Sequence, residues 1–200
     1  TYAEQFGYRI KHLGITRKTE AGVELRVHPT LIPAERLISN VNGVMNAVLV
    51  QGDAVGPTLY YGAGAGSLPT ASAVVADIID VARALTADPT NRVPHLAFQP
   101  SELSDTPVVS MDEVVTAYYL RITARDKPGV VARIAGILGE AGISIEAMQQ
   151  KEPAEGETEV PLVMLTHSVR ERQMNEAIAQ IEALECIEGS VTRIRVEQLS

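Results

Sequence analysis

The sequence predicts an α+β fold in two parts: a mixed or antiparallel sheet with covering helices, then a ferredoxin-like βαββαβ unit. Three observations predict it. Short runs in which apolar and polar residues alternate, the period of half-buried strands, recur between residues 8 and 61. Four of the eleven prolines, Pro89, Pro94, Pro100 and Pro107, fall within residues 86–110 and favour an extended connector. Beyond it, strand, helix, strand, strand, helix and strand patterns follow in that order, as in a split βαβ sandwich. The expected division is therefore 1–85, a connector over 86–117, and a second domain over 118–200.

In the first part, Tyr8–Ile15 and Val23–Pro29 read as strands joined by the polar turn Arg17–Gly22. Val23, Leu25 and Val27 alternate with Glu24, Arg26 and His28, which predicts one buried apolar face. Pro33–Ile38 reads as a short helix. Ala47–Gln51 and Thr58–Tyr61 bracket Gly52-Asp53-Ala54-Val55-Gly56-Pro57, a hairpin signal. A helix follows from Thr70 to Leu85, with Ala71, Val74, Val75, Ile78, Ala82 and Leu85 on one apolar face expected to cover the sheet. The apolar connector residues Val93, Leu96, Phe98 and Val108-Val109 suggest that it lies against a surface.

In the second part, Tyr118–Ala124 is a strand with Tyr118, Leu120 and Ile122 on one face. Asp126-Lys127-Pro128-Gly129 turns the chain into an amphipathic helix over Val130–Ala141, ended by Gly142. Ile143–Gln149 and Val160–Thr166 are strands around the acidic loop Lys151–Glu159. Ser168-Val169-Arg170-Glu171 has the form of a capping box. The helix it opens presents Met174, Ala177, Ile178, Ile181 and Leu184, and Ser190–Val196 is the last strand.

Composition narrows the function. The 200 residues carry 17 basic and 25 acidic side chains, a net charge of −8. Residues 112–200 hold most of that excess, 9 basic against 15 acidic. Neither nucleic acid nor an anionic membrane favours such a surface. Apolar stretches such as Ala73–Ala76 are far shorter than the ~20 residues of a membrane span. The single cysteine, Cys186, excludes an internal disulfide and suits a reducing, cytoplasmic setting. The chain opens TYAEQFGYRIKH, without a targeting run and in mid-element, as expected of a fragment or a processed product. His12, His28, His95 and His167 lack metal-ligand spacing, so no metal site is expected.

Gly62, Gly64 and Gly66, followed by Thr70, form a glycine-rich loop before a helix, an arrangement able to bring backbone N–H groups to an anionic ligand. Its G-x-G-x-G spacing is not the dinucleotide fingerprint. Two readings stand beside each other: ligand contact, and a tight turn in which larger side chains would clash.

Longer strings add weight to the first. GYRIKHLGITRKT, HPTLIP, NGVMNAVLVQGDAVG and YYGAGAGSLPTASAVVADIIDVAR resemble, in that order, the C-terminal half of the catalytic region of homoserine dehydrogenase. Tyr118-Tyr119-Leu120-Arg121 and Asp126-Lys127-Pro128-Gly129-Val130-Val131-Ala132 resemble the start of the ACT domain appended to many bacterial members. The resemblance implies NAD(P)-dependent interconversion of L-homoserine and L-aspartate 4-semialdehyde. By resemblance Gly66 approaches the nicotinamide cofactor, while Gly64, Ala65 and Thr70 shape the loop. The family's dinucleotide-binding domain and catalytic lysines have no counterpart in these residues; Lys11 and Lys18 read as solvated charges. No catalytic residue is therefore expected in this chain, and it is expected to be inactive alone.

The ACT resemblance implies pairing into homo-oligomers and an amino-acid effector, with L-threonine the choice of pathway logic. Gly129 and Val130 offer backbone donors for its carboxylate, Asp126 a partner for its ammonium group, and Ile143 and Ser144 a closure across the same end. For Asp126, a plain turn-forming role stays open. The rival reading is a free-standing amino-acid sensor in which the first part is only a scaffold.

Overall fold

The structure, a computed structural model, describes residues 2–86, 97–150 and 158–199. It divides into two compact units, one of Thr1–Ser39 with Thr106–Ser200 and one of Asn40–Asp105. Compactness thus partitions the chain differently from the division into 1–85 and 118–200.

The first unit opens with the single turn α1 (Tyr2–Gln5) and a long antiparallel hairpin, β1 (Tyr8–Thr19) and β2 (Gly22–Pro33). The turn is tighter than the sequence suggests, because pairing continues to Thr19 opposite Gly22. Gly22 has φ +135°, and a Cβ there would stand 2.1 Å from the carbonyl oxygen of Pro107. That close approach reflects the connector's return: Val23 N–H donates to Pro107 O and Val109 N–H to Val23 O, each at 2.9 Å. Main-chain bonds dock this end of the connector, whereas the expected apolar contact is not met at Phe98 and Val108, which are 63 and 61% exposed. Pro89, Val93, Pro94, His95 and Leu96 lie outside the described residues.

The ferredoxin-like order then appears as β5 (Val115–Arg125), α3 (Val130–Glu140), β6 (Ile145–Gln150), β7 (Glu159–Thr166), the two-residue β8 (Val169–Arg170), α4 (Glu171–Glu182) and β9 (Ile187–Val196). Most of the acidic loop, residues 151–157, is outside the described residues. The sheet runs β1-β2-β9-β5-β7-β6. The contacts from β9 to β6 are antiparallel, while β2 joins β9 in parallel through Thr30 opposite Arg195 and Leu31 opposite Val196. A hairpin from the first sequence part therefore extends the sheet of the second.

Alternation along β5 separates two cores. Tyr118, Leu120 and Ile122 pack with Leu162 and Met164 beneath Ile134 and Leu138 of α3 and Met174 and Ile181 of α4. Each such Leu or Ile stabilises the fold by about 1.5–3 kcal/mol relative to exposure. Tyr119 on the other face joins Leu31, Val163, Leu165 and Val196, with Ala3 of α1 against them. Gly142 takes φ +72° just after α3, as its place at the helix end suggests.

Two expectations are overturned here. In β2 the buried face is the charged one: Glu24, Arg26 and His28 are 7, 3 and 7% exposed, while Leu25 and Val27 are 52 and 73% exposed. The parallel seam with β9 places the even-numbered positions on the side of Arg195 and Glu197, and the Glu197 carboxylate pairs with Arg26 at 2.7 Å. Ser168 does not cap α4. The cap position is Arg170, without a side-chain bond, because Val169 and Arg170 are drawn into pairing with Thr116 and Val115.

The second unit, taken by itself, contains the hairpin of β3 (Met45–Gly52) and β4 (Gly56–Ala63), followed by α2 (Ser67–Thr86). No residue of α2 is buried, so the expectation that it covers the sheet is not met. The helix expected over Pro33–Ile38 is instead a 3-10 turn at Leu37–Asn40, since Pro33 still belongs to β2. No described helix is long and apolar enough to cross a membrane.

Candidate functional site

The glycine loop connects β4 to α2. Gly64 N–H donates to Val44 O at 3.2 Å, tying the loop to the start of β3. A Cβ on Gly64 would fall 2.0 Å from Asn46 Nδ2 and 2.8 Å from its Cγ, so the close packing is against a side chain. Gly66 has φ +131°, a conformation that favours glycine, and a Cβ there would lie 3.3 Å from Pro69 Cδ. Its carbonyl accepts the N–H of Thr70 at 3.0 Å, which starts the helix. Pro69 has no N–H, so helix geometry leaves those of Ser67 and Leu68 as the open donors of the first turn. Gly64, Ala65, Gly66 and Thr70 are thus brought together on an exposed turn with bare backbone. Such a surface leaves main-chain groups open to close approach and supplies no side-chain acid or base.

The turn after β5 is the second candidate. Asp126 is exposed and its N–H donates to Thr158 O at 2.9 Å. Gly129, at φ +89°, is the N-cap of α3, and its carbonyl accepts the N–H of Arg133 at 3.1 Å. Asp126 and Val130 line a shallow open hollow with Lys127, Gln150 and Val160. Ile143 and Ser144 are not part of it. Asp126 follows the pair Arg125–Glu159, whereas Ile145 pairs with Thr166 at the far end of β7, about 20 Å away at strand rise. Ile143 is buried in the helix-side core with its N–H on Leu138 O at 2.8 Å, and Ser144 O accepts the N–H of His167 at 2.9 Å. The closure expected from Ile143 and Ser144 is therefore corrected: α3 runs the length of the sheet and delivers them to its other end.

Two buried polar clusters escaped the sequence reading. Glu171, 3% exposed, accepts the Tyr118 hydroxyl at 2.7 Å and Arg195 Nε at 2.8 Å, with Arg193 Nη2 at 3.1 Å. Burial alone would raise its pKa, but the bonds from Arg195 and Tyr118 and the nearby arginine charges outweigh it and hold the carboxyl below its ordinary value. Burial, then Glu171, push the Tyr118 hydroxyl up. The second cluster joins Arg17, Glu24, Arg26 and Glu197. Beside it His28 shares a 3.0 Å bond between Nδ1 and Thr30 Oγ1. Burial is the largest influence on His28, and its pKa is lowered. Only the burial of Glu and Arg on a strand with exposed Leu and Val would have revealed this cluster, and that is a property of the paired sheet. Among the described residues, no three of His, Cys, Asp and Glu converge as metal ligands.

With this geometry in view, comparison with known proteins is specific. The profile of the homoserine dehydrogenase family matches residues 1–79, and that of the ACT domain matches residues 118–186. A homoserine dehydrogenase of Pseudomonas aeruginosa is 64% identical over 199 residues, which is all of this chain and 46% of the relative. One from Neisseria gonorrhoeae is 58% identical over 99% of the chain and 45% of its own length. The crystal structure of a homoserine dehydrogenase from Thiobacillus denitrificans superposes with a TM-score of 0.90 at 63% identity, covering 100% of this chain and 44% of that one. The chain spans somewhat under half the length of the relatives it matches.

Proposed function

The chain belongs to the homoserine dehydrogenase family, and from that premise we propose that it forms part of a longer, homo-oligomeric, cytoplasmic enzyme interconverting L-homoserine and L-aspartate 4-semialdehyde with NAD(P). The nicotinamide cofactor, when bound, supplies or accepts the hydride. This chain contributes the turn at Gly64, Ala65, Gly66 and Thr70, whose backbone lies open to a planar ring. Gly66 is the closest approach, since without a Cβ its main chain stays bare, and its φ of +131° favours glycine at the position. That loop, placed in the family-matched region, is the observation that carries the reading.

The ACT-matched part is a regulatory unit that takes L-threonine as feedback inhibitor. Asp126 meets the ammonium group, and the carboxylate is met by the N–H of Gly129 and by that of Val130 once it leaves its long 3.4 Å bond to Lys127 O. The hollow beside the Asp126 turn supports this half of the site. Ile143 and Ser144 stand elsewhere, so further closure comes from other groups.

The experiment compares the 200-residue chain with the full-length enzyme. The chain alone gives no NAD(P)H oxidation with aspartate semialdehyde. In the full-length enzyme Gly66→Val raises the KM for cofactor about tenfold, equivalent to about 1.4 kcal/mol, and leaves threonine binding intact. Turnover by the chain alone, or an unchanged cofactor KM in Gly66→Val, refutes the reading. Calorimetry that shows no threonine binding refutes only the effector assignment.

A further inference from the structure

The hairpin β1–β2 and strand β9 meet along a short seam of two register positions. Four positions before it on β2, Arg26 has no exposed side-chain surface. Its Nη1 donates to Glu197 Oε1 at 2.7 Å, and its Nη2 stands 3.1 Å from Glu24 Oε2. From β1, Arg17 Nη2 donates to Glu197 Oε2 at 3.2 Å. The main chain reinforces the grip: Glu197 N–H donates to Leu31 O and the Thr116 hydroxyl to Val196 O, each at 2.9 Å. One residue past β9 is thus held by side chains from both strands of the hairpin, while β9 itself pairs along the body of β5.

Charges buried at these distances do not separate gradually. Drawing Glu197 away leaves Glu24 as the one carboxylate against both Arg26 and Arg17, so a positive charge stays enclosed uncompensated, the costly condition for a buried pair. The cluster therefore has two conditions, closed with both arginines engaged or open with its groups rehydrated, and a small displacement of β9 is passed to β2 instead of being absorbed. We propose that Glu197, Arg26 and Arg17 form a clamp that couples the ACT sheet to the hairpin of the homoserine dehydrogenase part, and that effector occupancy is transmitted through it. The transmission rests on the regulatory reading above; the clamp does not.

The test uses the full-length enzyme carrying this chain, with L-threonine as the probe. Glu197→Gln speeds amide exchange across Arg26–Leu31 at least tenfold while exchange in β6 and β7 stays at the wild-type rate. It also cuts the inhibition ratio, activity without threonine over activity with it, at least threefold, and threonine affinity by calorimetry stays within twofold. Should Glu197→Gln not fold, the double variant Arg26→Met with Glu197→Leu removes one charge of each sign and leaves Arg17 opposite Glu24, and it gives the same two changes. Unaltered exchange across Arg26–Leu31 overturns the clamp. Faster exchange with an unaltered inhibition ratio overturns the transmission and reduces the cluster to a structural role. A wild-type enzyme that binds no threonine, with exchange still accelerated in the variant, refutes the effector assignment and upholds the clamp.

Discussion

Replacing Glu171 with leucine tests whether the cluster under α4 stabilises the first unit. Leucine approximates the carboxylate's volume but removes the acceptor for three donors: the Tyr118 hydroxyl, which is fully buried, and the guanidinium groups of Arg195 and Arg193. The arginine side chains keep 16 and 26% of their surface and regain water in part. Breaking a buried pair on one side costs roughly 3–5 kcal/mol, and this rehydration places the expected loss at the low end, about 3 kcal/mol. That corresponds to a drop in Tm on the order of 10 °C for a unit of this size. Glu171→Gln keeps an acceptor for Tyr118 and loses the charge, so it falls between the two. The pH dependence has a definite sign. The folded pKa of Glu171 lies below its ordinary value near 4.5, so its contribution is complete above that value and disappears as pH falls through the folded pKa. Urea unfolding of the chain at pH 7 and at stepped acidic pH measures both effects. A Glu171→Leu variant melting within 2 °C (about 0.5 kcal/mol) of wild type refutes the reasoning.

Other substitutions probe separate parts of the argument. Gly22→Ala introduces a Cβ 2.1 Å from a backbone oxygen at φ +135°, so it costs about 2–3 kcal/mol and frees the Val23 and Val109 amides in hydrogen exchange. Gly64→Ala meets only the side chain of Asn46, which rotates away; the melting midpoint stays within about 2 °C of wild type, a change of about 0.5 kcal/mol. Burial holds the pKa of His28 below its ordinary value of 6.5. The unfolded chain therefore binds the extra proton, and stability falls as pH drops below 6.5 toward the folded pKa. His28→Gln flattens that slope in urea titrations between pH 7 and 5.

Elements governed by local pattern were legible in the sequence. The helix through Ile134 and Leu138, the strand through Leu120 and Ile122, and the hairpin around Gly56 follow from period and turn chemistry alone. What was not legible depends on partners far along the chain. Alternation in β2 says that Val23, Leu25 and Val27 share a face, but a period of two cannot say which face is covered. The answer comes from β9, some 170 residues later, where Arg195 and Glu197 stand on the side that receives Glu24, Arg26 and His28. Ser168 is a similar case: a capping motif describes a helix end in isolation, and pairing of Val169 and Arg170 with β5 takes precedence.

The same distinction separates the two candidate sites. The glycine loop is contiguous, so Gly64, Ala65, Gly66 and Thr70 could be collected from one string, and their backbone geometry follows from residues within a few positions. The site expected around Asp126 called for segments on either side of a helix. An α-helix of eleven residues advances about 16 Å, which places Gly142-Ile143-Ser144 at the opposite end of the sheet from Asp126 whatever the identity of the side chains. What lies opposite Asp126 is instead the end of β6 at Gln150 and the start of β7 at Val160, both on the rim of the hollow. On the proposed reading, an amino acid held by Asp126 and the first turn of α3 would have Gln150 of β6 and Val160 of β7 as its nearest strand neighbours, so Gln150→Ala is expected to change amino-acid selectivity in calorimetry, and an unchanged ranking refutes that placement.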